Sequence, residues 1–421
     1  MKLQLTQQII INDRHKYYVG LDHLCLLAKN LYNVALFHIR QQYFKDKTYL
    51  NYNALDKLLS STNNIDYKAI PYRQSAQQIL RNVDKIFKSF FNGIKADKNK
   101  GKRIRPPKYK DKDRGRYILT YTNQSFRYKN SIIKLKGING DWYEFKTDKQ
   151  DIQQVRLVLK GSHVVVEIIY NVEYTLKEDN GRYASIDLGL NNIVALTSNV
   201  SQSILYNGRP LKTINQHYNK CKAELQSKLK QNKHASKRIN RLTYKRNNKI
   251  KDYMHKLSAA IIQYMEANNL NTLIVGKNNE WKTNIEIGKV NNQNFVSIPY
   301  NMLISMLEYK CKMHGIKMIT VNEAYTSKCS FLDNETICKH EAYLGKRTNR
   351  GLFIFSNGIK INADINGSLN IMVLGLQMLK VKHDVLLLEP ANQRFVLNPV
   401  SKYPKYFYIR KNTKGEFVKT R

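Results

Sequence analysis

Residues 182–198 read RYASIDLGLNNIVALTS. Tyr183–Ile186 is a continuous apolar run, the pattern of a strand buried on both faces, and it ends abruptly in Asp187 before a Leu-Gly turn. NNIVALTS and then SILYNG (203–208) supply two further strands, so the segment predicts a three-stranded meander. Outward from it, residues 212–256 carry fourteen Lys/Arg against two acids. Leu225 and Leu229 mark one helix there, and Ile239, Leu242, Ile250 and Leu257 mark a second. The polar KQNKHAS between them predicts an antiparallel pair with one apolar seam and basic outer faces.

Further on, TLIVG (272–276) reads as a strand, NMLISMLEYKCKMH (301–314) as a helix and IKMITV (316–321) as a strand. A loop-rich stretch then leads to a helix over 365–380, INGSLNIMVLGLQMLK. The order βββ-α-β-α-β-α is that of a ribonuclease-H-like sheet. On the amino-terminal side, KLQLTQQIIIN (2–12) predicts a strand. Helical spacing predicts helices over 24–46, with Leu24, Leu27, Leu31, Val34 and Ala35 recurring, and over 68–95, with Ala76, Ile79, Leu80, Val83, Phe87 and Phe90 on one face. YILTYT, SIIKLKG, VRLVLKG and HVVVEIIYNVEY, between Tyr117 and Tyr174, predict a small barrel-like sheet completed by the amino-terminal strand.

The whole chain has 421 residues, with 71 Lys+Arg against 32 Asp+Glu, a net charge of +39. Such an excess makes a polyanion the expected partner, nucleic acid before a membrane surface. No apolar run of membrane-spanning length occurs, and MKLQLTQQII has neither the apolar core nor the small-residue cleavage site of a secretory leader. The five cysteines are few, odd in number and scattered, as in a reducing interior. A cytoplasmic, nucleoid-associated protein of prokaryotic type is expected. Residues 95–116 concentrate the charge, with eleven Lys/Arg and three Asp in 22 positions. They read as a linker that is either a solvated loop or a phosphate-binding segment. The tail from 401 interleaves Tyr403, Tyr406, Phe407 and Tyr408 with seven Lys/Arg, either as a disordered end or as a strip lying on nucleic acid.

Acids are scarce and each opposes a polyanion, so their positions matter. Asp187 ends an apolar strand, Glu323 follows IKMITV, and Asp364 begins the last helix. Singly, these read as a turn residue, a surface charge and an N-cap. Together they fall where α/β sheets build sites, at the carboxyl ends of strands. Three converging carboxylates need cations, and oxygen-only ligands suit Mg²⁺ or Mn²⁺. A pair of such ions supports phosphodiester hydrolysis. Neither a GxxxxGK[ST] phosphate loop nor an H-E-x-x-H pattern occurs, so neither ATP hydrolysis nor zincin chemistry is indicated.

IDLGLNNIVALTS, IVGKNNEWK, NNQNFVSIPYNMLISMLEYK, EAYTSKCSFLD and INADINGSLNI resemble the RuvC-like nuclease half of TnpB proteins, transposon-encoded RNA-guided DNA endonucleases related to type V CRISPR effectors. AKNLYNVALFHIRQQYF and AQQILRNVDKIFKSFF extend the resemblance over nearly the whole chain. It implies a multidomain α+β protein. Residues 1–12 and 103–180 would form a β-rich wedge domain, and 13–102 a helical recognition domain. A RuvC-like nuclease domain would span 181–385, with a basic helical hairpin at 211–268, followed by the tail 386–421.

Two departures from the family pattern stand out. The second catalytic acid of most relatives closes the strand equivalent to TLIVG, where this chain has Gly276–Lys277. Glu323, one strand later, resembles the shifted glutamate of one branch. Glu280 is the competing candidate. Most relatives also carry two Cys-x-x-Cys pairs, whereas here Cys329 and Cys338 stand nine apart and Ile354 and Asn357 occupy the second pair's positions. No structural zinc is expected, with or without His340, and packing of Phe331, Leu332, Leu352, Phe353 and Phe355 replaces it.

The resemblance therefore implies cleavage of double-stranded target DNA, guided by RNA from the protein's own locus, with two Mg²⁺ (or Mn²⁺) held by Asp187, Glu323 and Asp364. Phosphates would be met by Lys102, Arg103, Arg105, Lys108 and Lys110, and by Lys237, Arg238, Arg241, Lys245, Arg246 and Lys249. The alternatives are a nuclease-deficient RNA-guided binder, suggested by Gly276, a small CRISPR effector, and a strand-transferring transposase.

Overall fold

The computed structural model describes residues 1–96, 104–229, 235–278, 298–349, 351–381, 400–402, 410–411 and 417–418. They fall into two compact units, residues 2–173 and residues 174–421 together with Met1. Among the described residues no helix is long and apolar enough to cross a membrane.

In the first unit, β1 (Lys2–Ile11) pairs antiparallel with β7 (His163–Glu173), from Lys2↔Glu173 to Ile11↔Val164. The other edge of β7 takes β6 (Ile152–Lys160), which in turn takes β2 (Leu119–Thr122), giving the order β1-β7-β6-β2. The amino-terminal strand thus joins the sheet as expected, but no closed barrel forms among the described residues. After β2 the chain turns at Ser125, whose N–H donates to Thr122 O. It then makes a separate three-stranded sheet of β3 (Phe126–Lys129), β4 (Ile132–Lys136) and β5 (Trp142–Lys146). Four strands leave β1 and β2 as open edges, whereas a filled small barrel closes with about eight.

The two expected helices are α1 (Tyr18–Asp46) and α4 (Arg73–Ala96). Between them lie two short helices that periodicity does not reveal, α2 (Tyr52–Ser61) and α3 (Ile65–Lys68). Their signals are caps: the Asn51 side chain accepts from Ala54 N–H, and Asn64 accepts from Tyr67 N–H. Leu24, Leu31, Ile79, Val83 and Phe87 from the helices share one core with Leu119, Leu157, Val166 and Ile168 from the sheet. Each such fully buried side chain stabilises the unit by roughly 1.5–3 kcal/mol before conformational entropy is subtracted.

In the second unit the meander is β8 (Tyr183–Asp187), β9 (Asn192–Ser198) and β10 (Ile204–Asn207). The basic pair follows as α5 (Arg209–Ser227) and α6 (Lys237–Ala267), the latter capped by Ser236. Next come β11 (Thr272–Gly276), α7 (Tyr300–Met313) and β12 (Lys317–Val321). The loop-rich stretch holds three short strands, β13 (Lys346–Asn349), β14 (Leu352–Ile354) and β15 (Lys360–Asn362), before α8 (Ala363–Met378). The main sheet runs β12-β11-β8-β9-β10-β16, with β16 (Val400–Lys402) parallel to β10. β12, β11 and β8 are mutually parallel, and β9 is antiparallel to β8 and β10.

Alternation sorts the two faces of this sheet. Ala184, Ile186, Leu273 and Val275 pack with Leu257, Ile261, Leu303 and Leu307 of α6 and α7. Tyr183, Ile274 and Val321 pack with Ile371, Met372 and Leu376 of α8. Ser185 and Asp187 are in phase with Tyr183 and so face α8. The tail aromatics Tyr403, Tyr406, Phe407 and Tyr408 lie outside the described residues, as do Lys102, Arg103 and Glu280.

Candidate active site

Asp187 is the last residue of β8, and α8 crosses the sheet directly over it. A buried hydroxyl cluster fixes that crossing. Ser185 Oγ donates to Ser368 O at 2.6 Å, and the Thr197 and Ser368 hydroxyls meet at 2.9 Å. One residue earlier on the helix, Gly367 permits the close approach: a Cβ there would stand 2.8 Å from Asp187 Oδ2.

Asp364 lies in the first turn of the same helix, where the helix dipole favours a negative charge. The expected N-cap role belongs to its neighbour Asn362, whose side chain accepts from Asp364 N–H at 2.9 Å. The Asp364 carboxylate is therefore turned to other partners. Asn192 Nδ2 donates to Oδ2 at 2.8 Å, and Arg347 stands 3.7 Å from Oδ1.

Glu323 follows β12 by two residues, and its carboxylate reaches back over the neighbouring strand. A Cβ on Gly276, the last residue of β11, would stand 2.8 Å from Glu323 Oε2 and 2.4 Å from Ile371 Cδ1. The place a side chain at 276 would take is thus shared by Ile371 and by the carboxylate from one strand over. Gly276 pairs with Val321, which sets the two strand ends level.

The turn that presents Glu323 is tied to α8. Thr326 donates its N–H and its hydroxyl to Glu323 O. Asn370 Nδ2 donates to Thr326 O and Cys329 O, both at 2.8 Å. Asn366 Nδ2 donates to Cys329 O at 2.9 Å, while its Oδ1 accepts from Phe331 N–H at 3.1 Å. Both asparagines are buried. One helix therefore carries Asp364, touches Asp187 and holds the loop of Glu323.

Electrostatics brings the three acids into one neighbourhood. Burial pushes the Asp187 carboxyl well above the usual range, and the Glu323 and Asp364 carboxylates push it further. The Leu188 N–H and the Arg347 guanidinium oppose the shift. The Tyr300 hydroxyl is pushed up by burial and then by Asp187 and Glu323, and it donates to Gly189 O at 2.8 Å. Sequence reasoning did not single out Tyr300, Asn192 or Arg347. A detectable signal existed for Asn366 and Asn370, which fall one helical turn apart on a helix otherwise apolar at those positions.

Among the described residues no three His, Cys, Asp or Glu side chains stand where they could jointly hold one metal ion. The donor set is nevertheless oxygen-only and paired. Mg²⁺ commonly takes one or two carboxylates and completes its shell with water and substrate phosphates. Gly276 and Gly367 keep side-chain carbon out of the space beside two of the carboxylates. Asp187 is the acid on which both Glu323 and Asp364 act. In the cysteine segment, Cys329 Sγ lies 3.5 Å from the Thr336 and Cys338 carbonyls, and Cys338 Sγ lies 3.4 Å from His340 Nε2. Phe331, Phe353 and Phe355 are buried with Ile365 and Leu369 of α8.

Of the basic residues, Arg105, Lys108 and Lys110 are exposed in the first unit, as are Lys237, Arg238, Arg241, Lys245 and Lys249 on α6. Arg246 differs. Its guanidinium donates to Asn215 Oδ1 at 2.8 and 2.6 Å and lies 5.5 Å from the Tyr218 ring centre, bracing α5 against α6.

Residues 163–282 match the family OrfB_IS605, described as a probable transposase, and residues 300–371 match the Cas12f1-like TNB domain. The TnpB-like protein ORF457 of Acidianus two-tailed virus is 25% identical over 403 residues, covering 84% of this chain and 82% of its own. Among solved structures, a Cas12f1–sgRNA–target DNA complex is similar at 14% identity and a TM-score of 0.35, over 87% of this chain and 98% of that one. The mini-RNA-guided endonuclease Cas_phi3 is similar at 10% identity and a TM-score of 0.49, over 89% and 92%.

Proposed function

This chain belongs to the TnpB family, and from that premise we propose that it is an RNA-guided DNA endonuclease with Asp187, Glu323 and Asp364 as its nuclease site. The observation that carries the reading is the gathering of three carboxylates at the carboxyl edge of a mixed sheet, where two of them oppose ionisation of the third. Burial and mutual repulsion make such a gathering costly unless cations join it. The domain around it, residues 181–385, is read as ribonuclease-H-like of RuvC type.

Two Mg²⁺ or Mn²⁺ would be held by Asp187, Glu323 and Asp364. Ions of this kind, when bound, lower the pKa of water and stabilise the leaving oxygen in phosphodiester hydrolysis. The remaining work falls to the chain itself. Asn192 and Arg347 orient Asp364, Asn366 and Asn370 hold the Glu323 loop, and Gly276 and Gly367 leave room for the carboxylates. Lys237, Arg238, Arg241, Lys245 and Lys249 on α6 meet phosphates in the same unit. The helical segment 13–102 and the β-rich segments 1–12 and 103–180 would grip guide RNA from the protein's own locus and its pairing with target DNA.

The reading as a binder that no longer cuts rests on the missing acid at Gly276. Its force is reduced by the Glu323 carboxylate that shares that place with Ile371. The test is to copurify the protein with RNA expressed from its own locus, sequence that RNA, and assay a matched plasmid for cleavage with Mg²⁺. Cleavage by the wild type that Asp187→Ala abolishes is expected. Retained cutting in that variant would overturn the site assignment, and target binding without cutting would favour the binder.

A further inference from the structure

Residues 104–117 are more than a linker, because they run antiparallel along α1 and are lashed to it by their backbone. Arg40 Nη1 donates to Pro107 O at 2.9 Å, and Lys29 Nζ donates to Lys112 O at 2.6 Å. Asn33 pairs with Lys110 in both senses, its Nδ2 donating to Lys110 O at 3.0 Å and its Oδ1 accepting from Lys110 N–H at 2.9 Å. At the far end, Tyr117 N–H donates to Cys25 O and Arg116 forms a forked pair with Asp22. The single turn in this strap is made by Asp111, whose carboxylate accepts from the N–H groups of Asp113 and Arg114.

The consequence is that cationic side chains stand outward on a backbone already ordered. Arg105, Lys108 and Lys110 are exposed. Beside them lies a group of rings that stay about half exposed although Phe44 also meets Tyr43 and Phe37 meets His38. The Arg40 guanidinium sits 5.5 Å from the Phe44 ring centre and 5.2 Å from that of Tyr109. Phe44 and Tyr109 are 48% and 45% exposed, and Phe37, two turns before Phe44 on α1, is 47% exposed. An exposed aromatic is unremarkable alone. Two half-exposed rings that share one guanidinium, next to a row of exposed cations, have the composition of a stacking platform for unpaired bases.

We propose that the strap and the Arg40–Phe44–Tyr109 group form a docking site for an unpaired stretch of RNA, with bases stacked on Phe44 and Tyr109 and phosphates on Arg105, Lys108 and Lys110. A duplex would offer only its backbone to this surface, because its base faces are covered. The choice of RNA over DNA rests on the proposed function, in which the DNA strand that becomes unpaired is the substrate of the nuclease site. Because α1 holds the strap in place, binding does not have to order it.

The experiment compares full-length wild type with Phe44→Ala/Tyr109→Ala, with Tyr109→Phe, and with Arg105→Ala/Lys108→Ala/Lys110→Ala. It measures affinity for an unstructured RNA, a matching DNA single strand and an RNA duplex across a salt series. The ring double variant is expected to bind unstructured RNA more weakly by about thirtyfold or more and the duplex within about twofold of wild type, while Tyr109→Phe binds like wild type. The triple variant should lower the salt slope by about 2, near 0.7 per lost phosphate contact on a single strand. Equal RNA affinity in the ring variant and wild type overturns the site, as does an equal loss toward duplex, which would signal charge or misfolding. Preference of the ring platform for the DNA strand overturns the assignment to RNA. A wild type that binds no RNA at all sinks the proposed function itself, whereas a wild type that binds and cuts beside an unaffected ring variant sinks only the platform.

Discussion

Glu167 and Asp187 are both carboxylates on sheet strands, one within its strand and one at its strand's end, and they keep opposite company. Glu167, on β7 in the first unit, receives Lys160 Nζ at 2.6 Å, Arg156 Nη2 at 3.0 Å and Gln8 Nε2 at 2.9 Å. Burial would raise its pKa, but Lys160, Arg156 and Gln8 together hold it below the usual glutamate range. Asp187, at the end of β8, is raised by burial and then again by Glu323 and Asp364. A buried acid with cations close beside it is a structural brace. Asp187 is set among other acids with Arg347 as the opposing cation, and that imbalance is what the proposed divalent cations would offset.

Asp187→Asn should separate the two situations most sharply. Cleavage is expected to fall by about 10³-fold or more, the several kcal/mol of transition-state stabilisation attributed to bound metal. In the absence of divalent cations the same variant should melt at a higher temperature than wild type near pH 8, because a repulsion has been removed. That advantage should shrink as the pH falls, since a raised native pKa means the folded state takes up the proton first. A calorimetric series from pH 8 to pH 5 reads this directly, and a variant less stable than wild type throughout would break the contrast.

Smaller effects are expected at the asparagines of α8. Asn366→Ala and Asn370→Ala free the loop behind Glu323 and should raise the Mg²⁺ concentration needed for cleavage by about 10–100-fold, as losing an outer-shell support does. An Mg²⁺ titration of cleavage rate checks it, and an unchanged titration would detach the loop from the site. Gly276→Ala places a methyl group against Glu323 Oε2 and Ile371. It should cost about 1–3 kcal/mol of stability by overpacking and shift the same titration in the same direction. The smallest effect on activity belongs to Glu167→Gln, with cleavage within about twofold of wild type and a stability loss of about 1–3 kcal/mol in urea unfolding. Its contribution runs opposite to that of Asp187 with pH. It is present above the unfolded glutamate range near 4.3 and is lost as pH falls through the lowered native value.

The legible parts of this molecule were those written in local pattern. β1, β7, β8, β9 and β11 announce themselves by alternation or apolar runs, and α1, α4, α6 and α8 by their seams. Asp187 and Asp364 could be found because each stands at the boundary of such a run. The hairpin residues of β3 and β5, FRYK and WYEFK, are too short and too mixed to carry a period. The helices α2 and α3 showed only in their asparagine caps. The expected barrel failed because alternation says which face a strand buries and not whether the last strand meets the first. At the candidate site, the fit of Glu323 over Gly276, the Asn192–Asp364 bond and the asparagine ties are all tertiary. They join residues that are dozens to more than a hundred and seventy positions apart, and no window along the chain contains both ends.

The pairing of β1 with β7 also constrains how the chain is made. Ile11 must wait for Val164 before its ladder can form, and at about 5–20 residues per second a ribosome takes on the order of ten seconds or more to deliver it. During that interval the alternating strand β1 waits without its partner. Two of its three glutamines, Gln7 and Gln8, later find Thr147 and Glu167. Until then they keep it from being a purely greasy ribbon open to its neighbours on the same message.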